Sequence, residues 1–215
     1  MADNPVTGWK MLHRAGSVLS CPFDSVGFRP DEWTGSPDGV SAYATILDAL
    51  SASLGATDVL ARVELRGAAP ASDDGEIDAD AIQVTDTGIW TDADSLALVI
   101  EQARMFHASL TGTADTWRRL VLNVWITAAE AVAEGHPLPP GKINNHIAGL
   151  IDSGDHVASA IARALKHYSG ERAPVLRSLG ADFWDHGTDE ALCAEIRAKA
   201  EAWAVARYDT LPRVW

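Results

Sequence analysis

Hydrophobic and polar residues alternate in several stretches of the N-terminal half, and this is the pattern of half-buried β-strands. The first, WKMLHR, precedes the turn residues of RAGS and the apolar VLSC, so we predict a hairpin. The clearest is DVLARVELRG, which sets charged residues against an apolar side formed by Val59, Ala61, Val63 and Leu65. A second strand is predicted through AIQVTDTGIW.

The segments between these strands predict a loop and a helix. From Pro22 to Gly39 the chain is rich in proline and glycine, which indicates a surface loop that carries Trp33. In SAYATILDALSASLG the apolar residues recur at helical spacing before Gly55, a residue suited to a left-handed helix cap. Residues 1–90 are therefore predicted to form a small α/β unit.

After Trp90 the pattern changes to that of helices. A capping sequence at Thr91–Asp94 opens a stripe of apolar residues that continues to Leu110. A second and stronger stripe extends from Trp117 to Val132. It also has apolar residues on its other sides, which is typical of a helix buried on more than one side.

Shorter helices are predicted as far as about Leu179, and a last helix follows Thr188 as its N-cap, with a Glu195 and Lys199 pair on its surface. Residues 91–215 are thus predicted to be a helical bundle. The predicted fold class is α+β, a small N-terminal α/β unit packed on a larger C-terminal helical bundle. No flexible linker separates the two parts, so they could share one core.

The charge of the chain lies mainly in its N-terminal part. The net charge is −13, and residues 1–95 hold 16 acidic against 5 basic residues, whereas residues 96–215 hold 14 against 12. No Lys or Arg occurs between Arg66 and Arg104, although many Asp and Glu residues do. A phosphate backbone would be repelled by this surface, which argues against direct binding of nucleic acid.

Cysteine content and hydropathy indicate the compartment. Cys21 and Cys193 are too few for a disulfide framework, and no signal peptide follows Met1, so we expect reduced thiols in the cytoplasm. The longest apolar stretch, LVLNVWITAAEAVA, is bounded by charged residues and is short for a bilayer span. We expect no membrane role.

One stretch, NNHIAGLIDSGDHVASAIARALKH, invites a metal or acid/base interpretation. Asp152 and His156 would share one face of a continuous helix, but His146 would lie away from it, and a metal site needs more converging ligands. DSGD also has the composition of a helix start, so we favour a cap. The common nucleophile, phosphate-loop, dinucleotide and zinc motifs are absent from the sequence, and we expect no catalytic residues, metal or cofactor.

The acidic stretch SDDGEIDAD permits two interpretations. It lacks the ligand spacing of an EF-hand calcium loop and needs no ligand as a solvated loop that leads into a strand. Its functional interpretation is an acidic docking face, in the extreme a surface that competes with nucleic acid for a basic groove. The candidate interface residues are Asp73, Asp74, Glu76, Asp78, Asp80 and Trp33. Trp33 is either an anchor for a partner or a side chain folded back on its own chain.

Two segments resemble a class of small domains found in phage and mobile-element proteins. GFRPDEWTGSPDGVSAYATILDAL and the following DVLARVELRG match its glycine-bearing loop, short helix and strand, and an Ala- and Trp-rich helical tail follows. The cysteine or histidine often found beside the loop glycine is replaced here by GSPDG. The resemblance implies an accessory protein without an assigned activity.

Together these features predict a non-enzymatic, acidic interaction protein that binds another protein and could inhibit a host enzyme that binds nucleic acid. A homo-oligomer is compatible with this prediction. One alternative is a metal-dependent hydrolase that uses His146, Asp152 and His156, and another is a structural component of a virion.

Overall fold

The computed structural model describes residues 6–16, 18–21, 26–52, 59–113, 116–134 and 190–215. Its strands are β1 Val6–Ala15, β2 Val18–Ser20, β3 Gly27–Phe28, β4 Trp33–Tyr43, β5 Val59–Arg66 and β6 Glu76–Ile89. Its helices are α1 Ile46–Ala52, α2 Asp92–Ser109, α3 Thr116–Ala133 and α4 Glu190–Tyr208. The chain divides into two compact units, residues 1–91 together with 201–215, and residues 92–200.

The first unit begins with the hairpin that the alternation predicts. Gly16 follows β1 with a φ of 66°, a left-handed conformation that glycine adopts without steric cost. β2 then pairs antiparallel with the end of β1, with His13 opposite Ser20, and β3 pairs with β2. The predicted hairpin is confirmed.

The longer strands form a circuit of antiparallel pairings. The first half of β1 pairs with β5, β5 with β6, and β6 with β4. β4 returns to β1 where Tyr43 lies opposite Trp9. The two predicted strands are both present, since β5 coincides with VLARVELR and β6 includes AIQVTDTGI but begins earlier, at Glu76.

Alternate residues of these strands share one face, which is the apolar core of the first unit. Leu12 of β1, Phe28 of β3 and Ile82 of β6 are almost fully buried in it. Lys10 lies two residues before Leu12 and is also buried, and its ammonium donates a hydrogen bond to the carbonyl of Ser41 at 2.5 Å. The face of the β5–β6 sheet opposite this core carries the charged residues.

The loop predicted from Pro22 to Gly39 is wrong over most of its described length. β3 and most of β4 lie within it, and Trp33 is the first residue of β4. The glycines and Pro37 are accommodated by an irregularity, because Gly35 pairs with Ala81 and Val40 pairs with Ala79. Residues 36–39 therefore bulge out opposite a single residue of β6, and a strand tolerates turn-forming residues at such a bulge.

The C-terminal residues belong to the first unit. Tyr208 and Leu211 are buried there, and the backbone N–H of Ile89 donates to the carbonyl of Pro212 at 3.0 Å. The ring of Tyr208 meets that of Trp9 edge to face, with centroids 4.8 Å apart. The last turns of α4 and the segment after it thus pack on the sheet.

In the second unit, α2 and α3 pack together. The helix predicted after Thr91 begins at Asp92, and its predicted apolar stripe is buried at Val99, Ile100, Ala103, Phe106 and Leu110. In α3, Leu122 and Ile126 are buried. The helices predicted between Gly135 and Leu179 lie outside the described residues.

The predicted fold class, a small N-terminal α/β unit packed on a larger C-terminal helical bundle, is wrong. The N-terminal part is a mainly antiparallel sheet of six strands with one short helix, and the described residues after Trp90 do not form the predicted bundle. Two physical features explain why the predicted fold class differs from the observed one. Bulged strands contain turn-forming residues and so lose their alternation, and the C-terminal end of the last amphipathic helix buries its apolar stripe within the unit that contains the sheet.

Candidate interaction surface

The acidic stretch forms an ordered turn between β5 and β6. Ser72 organises it, because its backbone N–H donates to the carbonyl of Glu76 at 2.8 Å and its hydroxyl oxygen accepts from the N–H of Glu76 at 3.0 Å. The N–H of Gly75 also donates to the carbonyl of Ser72 at 2.9 Å. We call residues 72–76 the acidic turn. These bonds order the backbone that carries the exposed carboxylates.

The charges of the turn point to solvent. Asp73 and Asp74 are exposed, and Glu76 is half-buried at the start of β6. A hydrogen bond from the Ser72 hydroxyl lowers the pKa of the Asp74 carboxyl below its ordinary value. Asp74 therefore stays ionised at neutral pH and under mildly acidic conditions.

The negative charge continues along β6. Asp78 and Asp80 are exposed, whereas Ile77, Ala79 and Ile82 face the core. The regular alternation breaks at residues 80–81, opposite the bulge of β4, so both of these residues face away from the core. The acidic residues named from the sequence therefore follow one line, from the turn onto the outside of the sheet.

Asp80 is held close to the end of β5. Gly67 has a φ of 64°, and a Cβ placed on it would overlap the Asp80 carboxylate. A side chain at residue 67 would therefore both strain the backbone and displace this carboxylate. The positive φ favours glycine at residue 67, and the Asp80 carboxylate would have to move to admit a side chain there.

Trp33 lies beside this acidic line and carries a cation on its ring. The guanidinium carbon of Arg66 is 3.8 Å from the centroid of the Trp33 ring. Trp33 pairs with Gln83 and Arg66 pairs with Ala81, so β4 and β5 flank β6 and present both side chains on the face away from the core. Trp33 is half-buried and Arg66 is exposed. The tryptophan is thus covered in part by its own chain.

Glu64 completes this surface. It pairs with Gln83 on the strand next to Trp33, and the Gln83 amide donates to the carbonyl of Asp31 at 2.8 Å. We call this side of β4, β5 and β6 the outer face. The side chains that define it are Trp33, Glu64, Arg66, Asp78, Asp80 and Gln83. These six side chains comprise four ionisable groups, one aromatic ring and one amide, and Arg62 lies on the same side of β5 as Glu64 and Arg66.

The structure thus brings most of the predicted interface residues together and adds others. Asp78 and Asp80 share the outer face with Trp33, and the acidic turn adjoins it through β6. Glu64 and Arg66 were not among the predicted site residues. The alternation of β5 predicts that they lie on its polar side, but the sequence predicts a loop around Trp33, so no local pattern pairs them with it.

The metal interpretation falls on a different part of the chain. His146, Asp152 and His156 lie outside the described residues. Within the described ranges, no group of three or more His, Cys, Asp or Glu side chains is arranged to hold a metal ion. Cys21 and Cys193 are both free thiols.

Comparisons with known proteins supply no relative. No protein-family model matches the chain, and no curated protein and no solved structure shows significant similarity to it. Among the helices that the structure describes, none is both long enough and apolar enough to cross a membrane. The outer face and the acidic turn are therefore the features that bear on function.

Proposed function

We propose that this chain is a non-enzymatic interaction protein of the cytoplasm, which binds a basic surface of another protein through its outer face and acidic turn. The observation that carries the proposal is the continuity of exposed carboxylates from Asp73 along β6 to Asp80, beside the partly exposed ring of Trp33. Tryptophan is enriched in protein interfaces, which have a polar rim around their core. A net charge of −13 adds long-range attraction to basic partners.

A more specific form of the proposal concerns the kind of partner. A line of carboxylates resembles the charge pattern of a nucleic-acid backbone, so the natural competitor for the same basic surface is nucleic acid. An accessory protein of phage or mobile-element type would use such a surface to inhibit a host enzyme that binds nucleic acid. In this form the partner is released when duplex DNA is added.

Capture from a lysate of the source organism, repeated over a series of salt concentrations, tests the proposal. The wild type should retain a partner at low salt and lose it as salt screens the charges. A variant with Asp73, Asp74, Asp78 and Asp80 changed to Asn and Glu76 changed to Gln should fail to retain it. Circular dichroism verifies that this variant is folded.

A charge-matched pair of smaller variants controls for net charge alone. Asp78→Asn with Asp80→Asn removes two exposed carboxylates from the outer face, and Glu190→Gln with Glu195→Gln removes two exposed carboxylates from α4. Only the first pair should weaken capture. Capture that is indifferent to salt, or that both pairs weaken equally, contradicts the proposal.

A further inference from the structure

The Trp33 ring already holds a guanidinium, and that contact suggests what the outer face recognises. Arg66 places its guanidinium carbon 3.8 Å from the ring centroid, well inside the range of cation–π attraction. Trp33 and Arg66 lie on strands on either side of β6, so the contact is set by the sheet rather than by adjacency in sequence. The ring is therefore held in a position that accepts a planar cation.

The resident cation is weakly held. Arg66 is exposed, and within the described part of the chain its side chain makes no hydrogen bond or ion pair besides the contact with Trp33. A long exposed side chain loses conformational entropy when it is held in one place, and an exposed cation–π contact offsets this only in part. Another guanidinium can therefore replace that of Arg66 at small cost.

Carboxylates on the same face as the ring are available to the incoming group. In the part of the chain that the structure describes, Glu64, Asp78 and Asp80 take part in no ion pair. Glu64 is two residues from Arg66 on the same side of β5, and Asp80 precedes the residue that pairs with Arg66. The outer face thus combines an aromatic platform with carboxylates that form no ion pair with the described residues.

This combination favours arginine over lysine. A guanidinium is planar, stacks on an aromatic ring and donates two parallel hydrogen bonds to a carboxylate, whereas an ammonium is a compact and strongly hydrated point charge. The geometry points to an arginine-bearing segment of a basic protein as the ligand, with its guanidinium on Trp33 in place of that of Arg66. This inference rests on the proposed function, since it specifies the chemistry of the same surface.

Fluorescence anisotropy with labelled oligoarginine and oligolysine peptides of equal length tests the inference on the full chain. The wild type should bind oligoarginine more tightly than oligolysine. Trp33→Leu should reduce that preference by about two- to fivefold, the contribution of an exposed cation–π contact, and should leave the salt-dependent binding of both peptides in place. Trp33→Phe keeps an aromatic ring and should restore most of the preference. Trp215→Leu is the control, because Trp215 is a tryptophan that is 40% exposed and lies outside the three strands of the outer face.

A second variant tests the displacement of Arg66. Arg66→Gln should strengthen binding of oligoarginine more than that of oligolysine, because it removes the guanidinium that occupies the Trp33 ring. Arg197→Gln removes an exposed positive charge from α4 and should shift both peptides equally. A preference for arginine that survives Trp33→Leu, or an Arg66→Gln variant that acts equally on both peptides, overturns the inference but not the proposed function. Absence of salt-dependent binding to either peptide contradicts both.

Discussion

The carboxylate of Glu201, in α4, accepts a hydrogen bond from the backbone N–H of Ile46 at 2.9 Å across a separation of 155 residues. Its other oxygen accepts from the N–H of Leu47 at 3.1 Å. These two donors belong to the first turn of α1, where backbone N–H groups have no partner within the helix. A side chain near the end of the chain thus caps a helix near its beginning, and several predictions depend on such long-range contacts.

Glu201→Ala should destabilise the protein by about 1–3 kcal/mol, because it leaves two helix N–H groups without their charged acceptor. The midpoint of urea unfolding measures this change. Glu195→Ala is a control on the same helix, since among the described residues Glu195 forms only an exposed pair with Lys199, at 2.5 Å. It should change stability by less than about 0.5 kcal/mol. Equal effects of the two substitutions would contradict the capping role of Glu201.

Arg213 fastens the C-terminal segment to the sheet. Its Nε lies 3.2 Å from the Asp86 carboxylate, its Nη1 donates to the carbonyl of Tyr208 at 2.8 Å, and its guanidinium carbon lies 4.7 Å from the centroid of the Tyr208 ring. Arg213→Ala should cost about 1–2 kcal/mol of unfolding free energy.

The neighbouring pair of Arg62 and Asp209 is longer, at 3.6 Å, and more exposed. Asp209→Asn should therefore have an effect within about 0.5 kcal/mol in the same urea titration. If Asp209→Asn destabilises the protein as much as Arg213→Ala, then non-specific electrostatic attraction, and not the particular contacts of Arg213, holds the C-terminal segment on the sheet.

The Tyr208 hydroxyl is fully buried beside the Asp86 carboxylate, and no hydrogen bond of good geometry joins it to a described residue. An unsatisfied buried hydroxyl costs free energy, so Tyr208→Phe should leave the protein as stable as the wild type or stabilise it by up to about 1 kcal/mol. Thermal or urea unfolding at neutral pH measures this. A loss of more than about 1 kcal/mol would show that the hydroxyl has a partner that stabilises the fold.

The same hydroxyl predicts a dependence of stability on high pH. Burial, and secondarily the charge of Asp86, raise the pKa of Tyr208 above its ordinary value. The folded state therefore favours the neutral phenol. This contribution to stability is fully present below the unfolded tyrosine pKa of about 10 and is lost progressively as the pH rises above it. Urea midpoints measured on both sides of that pH should fall more steeply for the wild type than for Tyr208→Phe.

Lys10 is a charged residue in the core, where its ammonium donates to the carbonyl of Ser41 at 2.5 Å. β1 and β4 meet at Trp9 and Tyr43, and this side chain bridges the two strands beside that point. Lys10→Glu would bury a carboxylate against a carbonyl and should cost about 3–5 kcal/mol. Lys10→Gln retains a donor and should cost less. A thermal unfolding series ranks the two, and the reverse order would rule out the bridging role.

Local patterns predicted several elements correctly because the physical cause lies within each segment. Apolar alternation in VLARVELR is sufficient to predict β5, since one side of this strand faces the core. The pair of Glu195 and Lys199 follows from i,i+4 spacing, and the structure confirms it. The acidic turn was also visible as a run of Asp and Glu. What the run does not show is that Ser72 orders it.

The sequence by itself therefore determined the strands with clear alternation, the hairpin at Gly16, the start of α2 and the position of the acidic charge, because each depends on neighbouring residues. Only the tertiary structure decided that a glycine- and proline-rich segment becomes β4, since the cost of its bulge is offset by pairing with β6. It also decided that Arg66 stacks on Trp33 and that Glu201 caps α1. Those contacts join residues far apart in the chain, and they form only when the sheet has closed and the last helix has packed on it.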